Sequence, residues 1–556
     1  FLYFAINKRN NIFLLYCFFS FTGLLILIWF HSKLISNKKH FENLIKINKD
    51  EIKSLDGDYL LFNNGQEFID HEHPYTTDLD IFGQGSFFQY INRTATIYGK
   101  HELAFYLSQP DKDINSIILK QQALKDLSKR TDFRQNFQAR GMGVSESMAD
   151  KQSVLSWLLE KGSFDNPAFN IIRFLIPLFT IILIGLSANN FISWTIPILM
   201  IVIQFGITGI LLNKVNKIHN QVSKKFQLLK KYSILIGLIE KETFHSELLK
   251  DLQLKLAQNK KPASKGIKKL ANIVNAFDTR LNLFAGALLN GLFLWDIHQC
   301  VRLSKWKKNH HNDLPKWFDV IGSTDALNSL ANYAFNHPDY TYPIAINGSF
   351  ILKAVQLGHP LIKNEVRINN DVNLNNWKQF NIITGANMAG KSTWLRTIGL
   401  NLIIGMTGAP ACAQSMTFHP INLFTSLRTN DSLMNNESYF YAELKRLQSI
   451  IQKLEKDEEL FILLDEILKG TNSKDKQKGS VAFLKQLIRF NAAGMIATHD
   501  ISIGELEKDF PEHLKNLCFE VDIKNDQLFF DYKLREGISK NLNATFLMKK
   551  MGITLD

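Results

Sequence analysis

Residues 385–393 read Gly385-Ala386-Asn387-Met388-Ala389-Gly390-Lys391-Ser392-Thr393. Two glycines, a lysine and two hydroxyls within nine positions suit the holding of an anionic triphosphate. Backbone N–H groups between Gly385 and Gly390 can cradle phosphate oxygens, helped by the positive end of a helix that follows. Lys391 is then placed to reach the β- and γ-phosphates, and Ser392 to offer its hydroxyl to Mg²⁺. Further on, Leu460-Phe-Ile-Leu-Leu-Asp-Glu466 is an apolar run ending in two carboxylates. Asp465 there suits a metal held through water, and Glu466 suits a general base that polarises the attacking water. A third apolar run, Gly494-Met-Ile-Ala-Thr498, ends at His499, which can touch a γ-phosphate and report its loss. Between the first two, Ser438 heads an amphipathic helix with apolar positions Leu444, Leu447, Ile450, Ile451 and Leu454, and can present that helix end to phosphate.

These groups need elements to position them. Phe380–Thr384 reads as a strand feeding the Gly-rich loop, and Trp394 onward reads as the helix that the loop opens. Leu460–Glu466 and Gly494–Thr498 read as two more strands. The polar turn Gly470-Thr-Asn-Ser-Lys-Asp475 leads into a helix near Lys478–Arg489. Strand, loop and helix in alternation predict an α/β nucleotide-binding domain with a mainly parallel sheet.

At 556 residues the chain is long enough for two or more domains. Cys17, Cys300, Cys412 and Cys518 lie far apart without metal-ligand spacing, and read as reduced small residues of a cytosolic setting. An excess of 65 Lys+Arg over 52 Asp+Glu leaves +13, which suits nucleic acid or an anionic membrane face. Residues 12–30 carry no charge and as a helix span about 30 Å, one crossing. From Phe174 to Asn213 no Asp, Glu, Lys or Arg occurs, with Ser187-Ala-Asn-Asn190 as a polar turn in the middle. This predicts a transmembrane hairpin of helices over 171–187 and 191–213. Arg173 at one open end and Lys214, Lys217, Lys224 and Lys225 at the other place both ends in the cytoplasm. The chain begins at Phe1 rather than Met, so further sequence upstream is expected.

The chain resembles the MutS family of DNA mismatch-repair ATPases, members of the ABC ATPase superfamily. Its Gly-rich loop is similar to the family's Gly-Pro-Asn-Met-Gly-Gly-Lys-Ser-Thr, with Ala386 and Ala389 as departures. Leu464-Asp-Glu-Ile-Leu-Lys-Gly-Thr-Asn-Ser-Lys-Asp475 resembles the Asp-Glu-Ile-Gly-Arg-Gly-Thr segment, with Leu468 and Lys469 as departures. Gly358-His-Pro-Leu361 and Asp531-Tyr-Lys-Leu-Arg-Glu-Gly537 look like elements at the two ends of the ATPase domain. Thr94-Ala-Thr-Ile-Tyr-Gly-Lys-His-Glu-Leu-Ala104 looks like the start of the family's helical core. The resemblance implies an α/β C-terminal P-loop ATPase domain of ABC type over 341–556. An all-α core and lever region would occupy 36–170 and 214–340, with transmembrane helices over 1–35 and 171–213. It further implies ATP and Mg²⁺ as ligands, with Ser392 and Asp465 on the metal. A homodimer is implied too, in which Ser438 meets the partner's γ-phosphate and Asp475 lies at the seam. Only residues 1–75 precede the core here, so the domain with which the family reads mispairs is expected to be missing.

The resulting expectation is a membrane-anchored MutS-like ATPase, bound to lipid, with its ATPase domain in the cytoplasm and closing as a dimer around ATP. Double-stranded DNA is one candidate partner. The basic stretch Arg302-Leu-Ser-Lys-Trp-Lys-Lys308 suits DNA phosphates, and equally a solvated or lipid-facing surface. The alternatives are an ABC-type transport component, or a tether that binds ATP without turnover. No ionisable residue inside the hairpin marks a substrate route, and no small-molecule substrate besides ATP is indicated.

Overall fold

The computed structural model describes residues 11–539, apart from 144–145, 147–155, 158–159, 161–163, 259–260, 387, 429–438, 469–471 and 525–526. The chain divides into two compact units: 1–56, 132–238 and 264–308 form one, and 57–131, 239–263 and 309–556 the other.

The first unit is helical. Helix α1 (Asn11–Leu55) runs 45 residues without a break, and no proline or glycine interrupts it beyond Gly23. Helix α2 (Pro167–Ala188) starts on the Asn166 side chain, which accepts from the Ala168 N–H, with Pro167 in the first turn, where a missing N–H costs nothing. Helix α3 (Thr195–Lys241) begins four residues later than the hydropathy suggested. Asn190 turns with φ +61°, and the Phe191 N–H reaches back to the Leu186 carbonyl, so residues 189–194 close the hairpin. Helix α3 then continues well past Asn213. Gln204 donates to the Thr180 hydroxyl at 2.6 Å, a buried polar tie between the two helices. Large apolar side chains such as Phe174, Leu178, Ile182, Leu199 and Val202 point outward. Among the described residues three helices are long and apolar enough to cross a membrane, within Phe19–Leu55, Pro167–Ala188 and Thr195–Ser223. Helices α4 (Leu283–Phe293) and α5 (Trp295–His310) belong to the same unit. The basic stretch 302–308 lies on α5, with Trp306 buried and Lys307 Nζ donating to the Glu160 carbonyl.

The second unit joins a helical part to two β-sheets. Its helical part is pinned at Asp325, on the buried helix Leu314–Asn336. Asp325 accepts from the Ala95 and Thr96 N–H groups and from the Thr96 hydroxyl at 2.7 Å, while Thr96 caps the helix Ile97–Ser108. A Cβ on Gly99 would fall 2.2 Å from the Asp325 carboxylate. The Thr-x-x-Gly spacing of this segment is therefore a steric requirement: one residue caps, and the next turn must leave room for the carboxylate.

Ten described strands follow: β1 (Ile344–Ala345), β2 (Leu352–Leu357), β3 (Asn370–Leu374), β4 (Phe380–Gly385), β5 (Ser415–Phe418), β6 (Asn422–Ser426), β7 (Leu460–Asp465), β8 (Ala492–Thr498), β9 (Leu514–Lys524) and β10 (Gln527–Glu536). The larger sheet has the order β10-β9-β4-β8-β7-β6 and is parallel except for β10. The smaller, mixed sheet has the order β1-β5-β2-β3. Every residue of β4 and β8 is buried, as expected of parallel strands covered on both faces. Helix α6 (Lys391–Met406) follows β4 directly. Helices α7 (Tyr439–Leu454) and α8 (Ser473–Leu487) supply Ile450, Leu454, Leu484 and Leu487 to a core with Phe380, Ile462 and Ile496. Cys300, Cys412 and Cys518 are buried and free, as the scattered spacing implied.

Gly99→Ala is expected to lower the stability of the folded chain by about 1–3 kcal/mol, through overpacking against Asp325. The urea midpoint of detergent-purified protein measures it, and an unchanged midpoint would remove Asp325 as the pin of this region.

Candidate functional site

The parallel register sets the site. Thr498 pairs with Thr384, Ala497 with Asp465, and Phe519 with Gly385, so β4, β7 and β8 present their carboxyl ends along one edge, beside Phe519 of the longer β9. Loops leaving such an edge can share a cleft. One cleft of about 390 Å³ opens here, lined by Met388, Gly390, Lys391, Ser392, Thr393, Asp465 and Glu466 among others.

The loop after β4 is tight for steric reasons. A Cβ on Gly385 would lie 2.8 Å from the Phe519 carbonyl oxygen. Gly390 turns with φ +103°, a conformation natural to glycine, and a Cβ there would stand 3.1 Å from the Tyr532 ring. Ala389 is buried beneath the turn, while Met388 is 78% exposed and forms the rim. Helix α6 then begins at Lys391, and its first-turn N–H groups have no partner within the helix. Lys391 Nζ donates to the Gly385 and Ala386 carbonyls at 2.8 and 2.9 Å, which holds the ammonium at the floor of the cleft. Thr393 is exposed beside it. Ser392 Oγ donates to Asp465 Oδ2, so two hard oxygens lie side by side. Mg²⁺ takes one or two such protein oxygens and keeps waters and phosphates for the rest, so this pair fits it. Among the described residues no cluster of three or more His, Cys, Asp or Glu gathers to hold a metal alone.

Glu466 leaves β7 with φ +57°, its N–H bonded to the Ala497 carbonyl at 2.9 Å. That turn swings its carboxylate over the strand ends, where Oε1 stands 3.0 Å from His499 Nδ1. His499 is half-exposed and lies outside the lining of the cleft, reaching it through Glu466. Asp475 lies on the exposed first turn of α8, with its N–H and carboxylate engaged by the Asn472 side chain, away from the cleft. Asn387 and Ser438 fall outside the described residues.

Several lining residues went unassigned in the sequence. Tyr532 on β10 and His359, Ile362, Val366, Arg367 and Ile368 from the segment between β2 and β3 form the far wall. Two of the motifs quoted above, Gly358–Leu361 and Asp531–Gly537, were visible, yet nothing in one dimension shows that they face each other. Glu443 is the other omission. Its buried carboxylate, on α7, accepts from the Leu468 N–H at 2.6 Å and so fixes the turn that carries Glu466.

His359 accepts from the Leu361 N–H through Nδ1 at 3.3 Å, which requires that nitrogen to be unprotonated. Burial, reinforced by Arg396 and Arg367 and opposed by Asp80, pushes its pKa down to about 4. The unfolded histidine titrates near 6.5, so this contribution is complete above that value and is lost as pH falls towards 4. Between pH 7 and pH 5 the chain is expected to lose about 2 kcal/mol on this account, which His359→Gln would not lose. Urea unfolding at the two pH values reads the difference, and parallel losses in both proteins would refute it.

Residues 381–549 match the model of MutS domain V. Over 249 residues the chain is 29% identical to the DNA mismatch repair protein MutS of Thermotoga petrophila, covering 44% of this chain and 31% of that protein. It is 28% identical over 248 residues to the human MutS protein homolog 4, covering 42% and 25%. Against the MutS of Thermosipho melanesiensis it is 31% identical over 226 residues, covering 39% and 26%. The matched part thus spans about a third or less of each relative. The C-terminal part of the chain is thus similar to MutS domain V and to MutS proteins.

Proposed function

We propose that the second unit binds ATP with Mg²⁺ in the cleft at the strand ends and hydrolyses it. The observation that carries this reading is the convergence of Lys391, Ser392, Asp465 and Glu466 on one cleft. In this reading Lys391 leaves its loop carbonyls to meet the β- and γ-phosphates, and the free N–H groups of α6 face the same oxygens. Ser392 and Asp465 would hold Mg²⁺, whose charge would offset that developing on the phosphates. Glu466, held by the Ala497 carbonyl and faced by His499, orients the attacking water and takes its proton. Ile368, Val366 and Tyr532 give the purine an apolar, aromatic wall. Two copies are proposed to act together, with Ser438 and Asp475 of one contributing to the nucleotide of the other. Three apolar helices support a membrane anchor for the first unit, which leaves ATP binding to move a tethered body.

Glu466→Gln is expected to cut ATP turnover by about 10²–10⁴-fold while nucleotide binding persists. Lys391→Ala is expected to abolish binding. Turnover and fluorescent-nucleotide titration on the full chain in detergent separate these outcomes. Turnover by Glu466→Gln equal to that of the natural chain would leave only a tether.

The names of the relatives make double-stranded DNA the partner to test. If DNA is held, the logarithm of affinity should fall linearly with the logarithm of salt, by about 0.9 per phosphate contacted. Duplex titrations across a salt series measure the slope. Absent or salt-insensitive binding would remove DNA from this reading and leave the ATPase intact.

A further inference from the structure

Helix α4 is built inside out for water. Its inward face is made of Gly286, Asn290 and Gly291, and its large side chains face outward: Leu283, Phe284 and Leu288 are 81%, 85% and 62% exposed. Residues 281–295 contain no Asp, Glu, Lys or Arg. A helix on an aqueous surface has the opposite pattern, with its large apolar stripe against the core. The helix packs on α2, and a Cβ on Gly291 would lie 3.0 Å from the Phe205 ring and 3.3 Å from Ile201. Both residues belong to the charge-free stretch of α3, and Phe205 stands midway between Thr195 and Lys214. What touches Phe205 therefore shares its depth. Two charges bracket the helix, and they neutralise each other: Arg280 Nε lies 3.0 Å from Asp296 Oδ2, both nearly buried, and the guanidinium also donates to Asn216.

We propose that Leu283–Phe293 is a further membrane-embedded element, a helix that enters the hydrocarbon beside the hairpin without crossing it and presents Leu283, Phe284 and Leu288 to acyl chains. This rests on the reading that α2 and α3 span a membrane. Eleven residues rise about 16 Å, half of a hydrocarbon core of roughly 30 Å, so the element can enter but not cross. The left-handed turn at Leu294 (φ +48°) ends it, and Asn290 satisfies the Asp296 N–H with its side-chain oxygen. Backbone at that depth keeps its partners, as a lipid environment demands. Its outward face has the same character as Leu178, Leu199 and Val202 on the hairpin, and one apolar layer would cover all of them.

The test uses the full chain with Cys17→Ser, since the other three cysteines are buried. Phe284→Cys, Leu288→Cys, Leu178→Cys on the hairpin and Lys353→Cys on the second unit are each labelled with an environment-sensitive fluorophore. The proteins are reconstituted in phosphatidylcholine vesicles with or without nitroxide-labelled acyl chains. The expected result is a loss of fluorescence at positions 284 and 288 equal to that at 178, with none at 353. Quenching at 178 alone would overturn the inference and leave the membrane reading standing. Absence of quenching at 178 would remove both. Oxidative crosslinking of Phe284→Cys between two copies, without quenching, would make this face a contact between chains and would equally overturn the inference.

Discussion

Gly385, Asp465 and Thr498 end three neighbouring parallel strands at nearly one level, with Phe519 of β9 beside Gly385, and that register gathers the cleft of the second unit. Lys391 and Ser392 follow β4, Asp465 and Glu466 end β7, and His499 ends β8. They meet only because the strands are aligned. In a sheet, slipping one strand by a single residue sends its side chains to the opposite face. A slip of β7 against β8 would separate Ser392 from Asp465 and Glu466 from His499 together. The alignment is therefore secured on both faces, by α6 on one side and by the Ile450, Leu454, Leu484 and Leu487 layer on the other. Stability and function share this constraint, since the residues that bury the sheet also hold its edge in step.

Positive φ at Glu466 and Leu468 adds a local cost at the same place. Non-glycine residues in that conformation persist when their surroundings over-determine them. Here the Ala497 carbonyl holds the Glu466 N–H, and Glu443 holds the Leu468 N–H. Two bonds, across 31 and 25 residues of sequence, thus keep one carboxylate aimed over the strand ends. Glu443 acts through Glu466 and is a positioning residue, and its buried carboxylate would be costly to leave without the amide it accepts.

How much of this the sequence shows depends on how local each cause is. The loop after β4 was legible because glycines, lysine and serine stand in consecutive positions, and its flanking strand is a continuous apolar run. The carboxylates at the end of β7 were legible for the same reason. Tyr532 and His359 were not, since they reach the cleft from segments more than 170 residues apart. The role of Gly99 was also hidden: its motif is visible, but Asp325, the atom group that forbids a larger side chain, lies 226 positions away. Hydropathy found the hairpin but placed the start of its second helix early, because Phe191 and Trp194 are apolar even though Asn190 and Ser193 form the turn. Helix α4 escaped notice because an eleven-residue, mostly apolar helix also describes a buried core helix, and only the outward direction of Phe284 and Leu288 distinguishes the two.

The two units place their large apolar side chains in opposite ways. In the second, Phe380, Phe461 and Ile496 are hidden and charges face out, so burial of apolar area drives its assembly. In the first, Phe174, Leu178, Leu199 and Phe284 face out, and in the proposed membrane setting no gain from hiding them would hold α2, α3 and α4 together. Association there must come from close packing and internal hydrogen bonds. The molecule supplies both, with Gly291 letting α4 approach Phe205, and Gln204 donating to Thr180 within the hairpin. The ion pair of Arg280 with Asp296 serves the same end, since each charge would be expensive alone next to an apolar layer and is tolerable when paired. Such ties are short-ranged and directional. They let the helices of the first unit keep one arrangement.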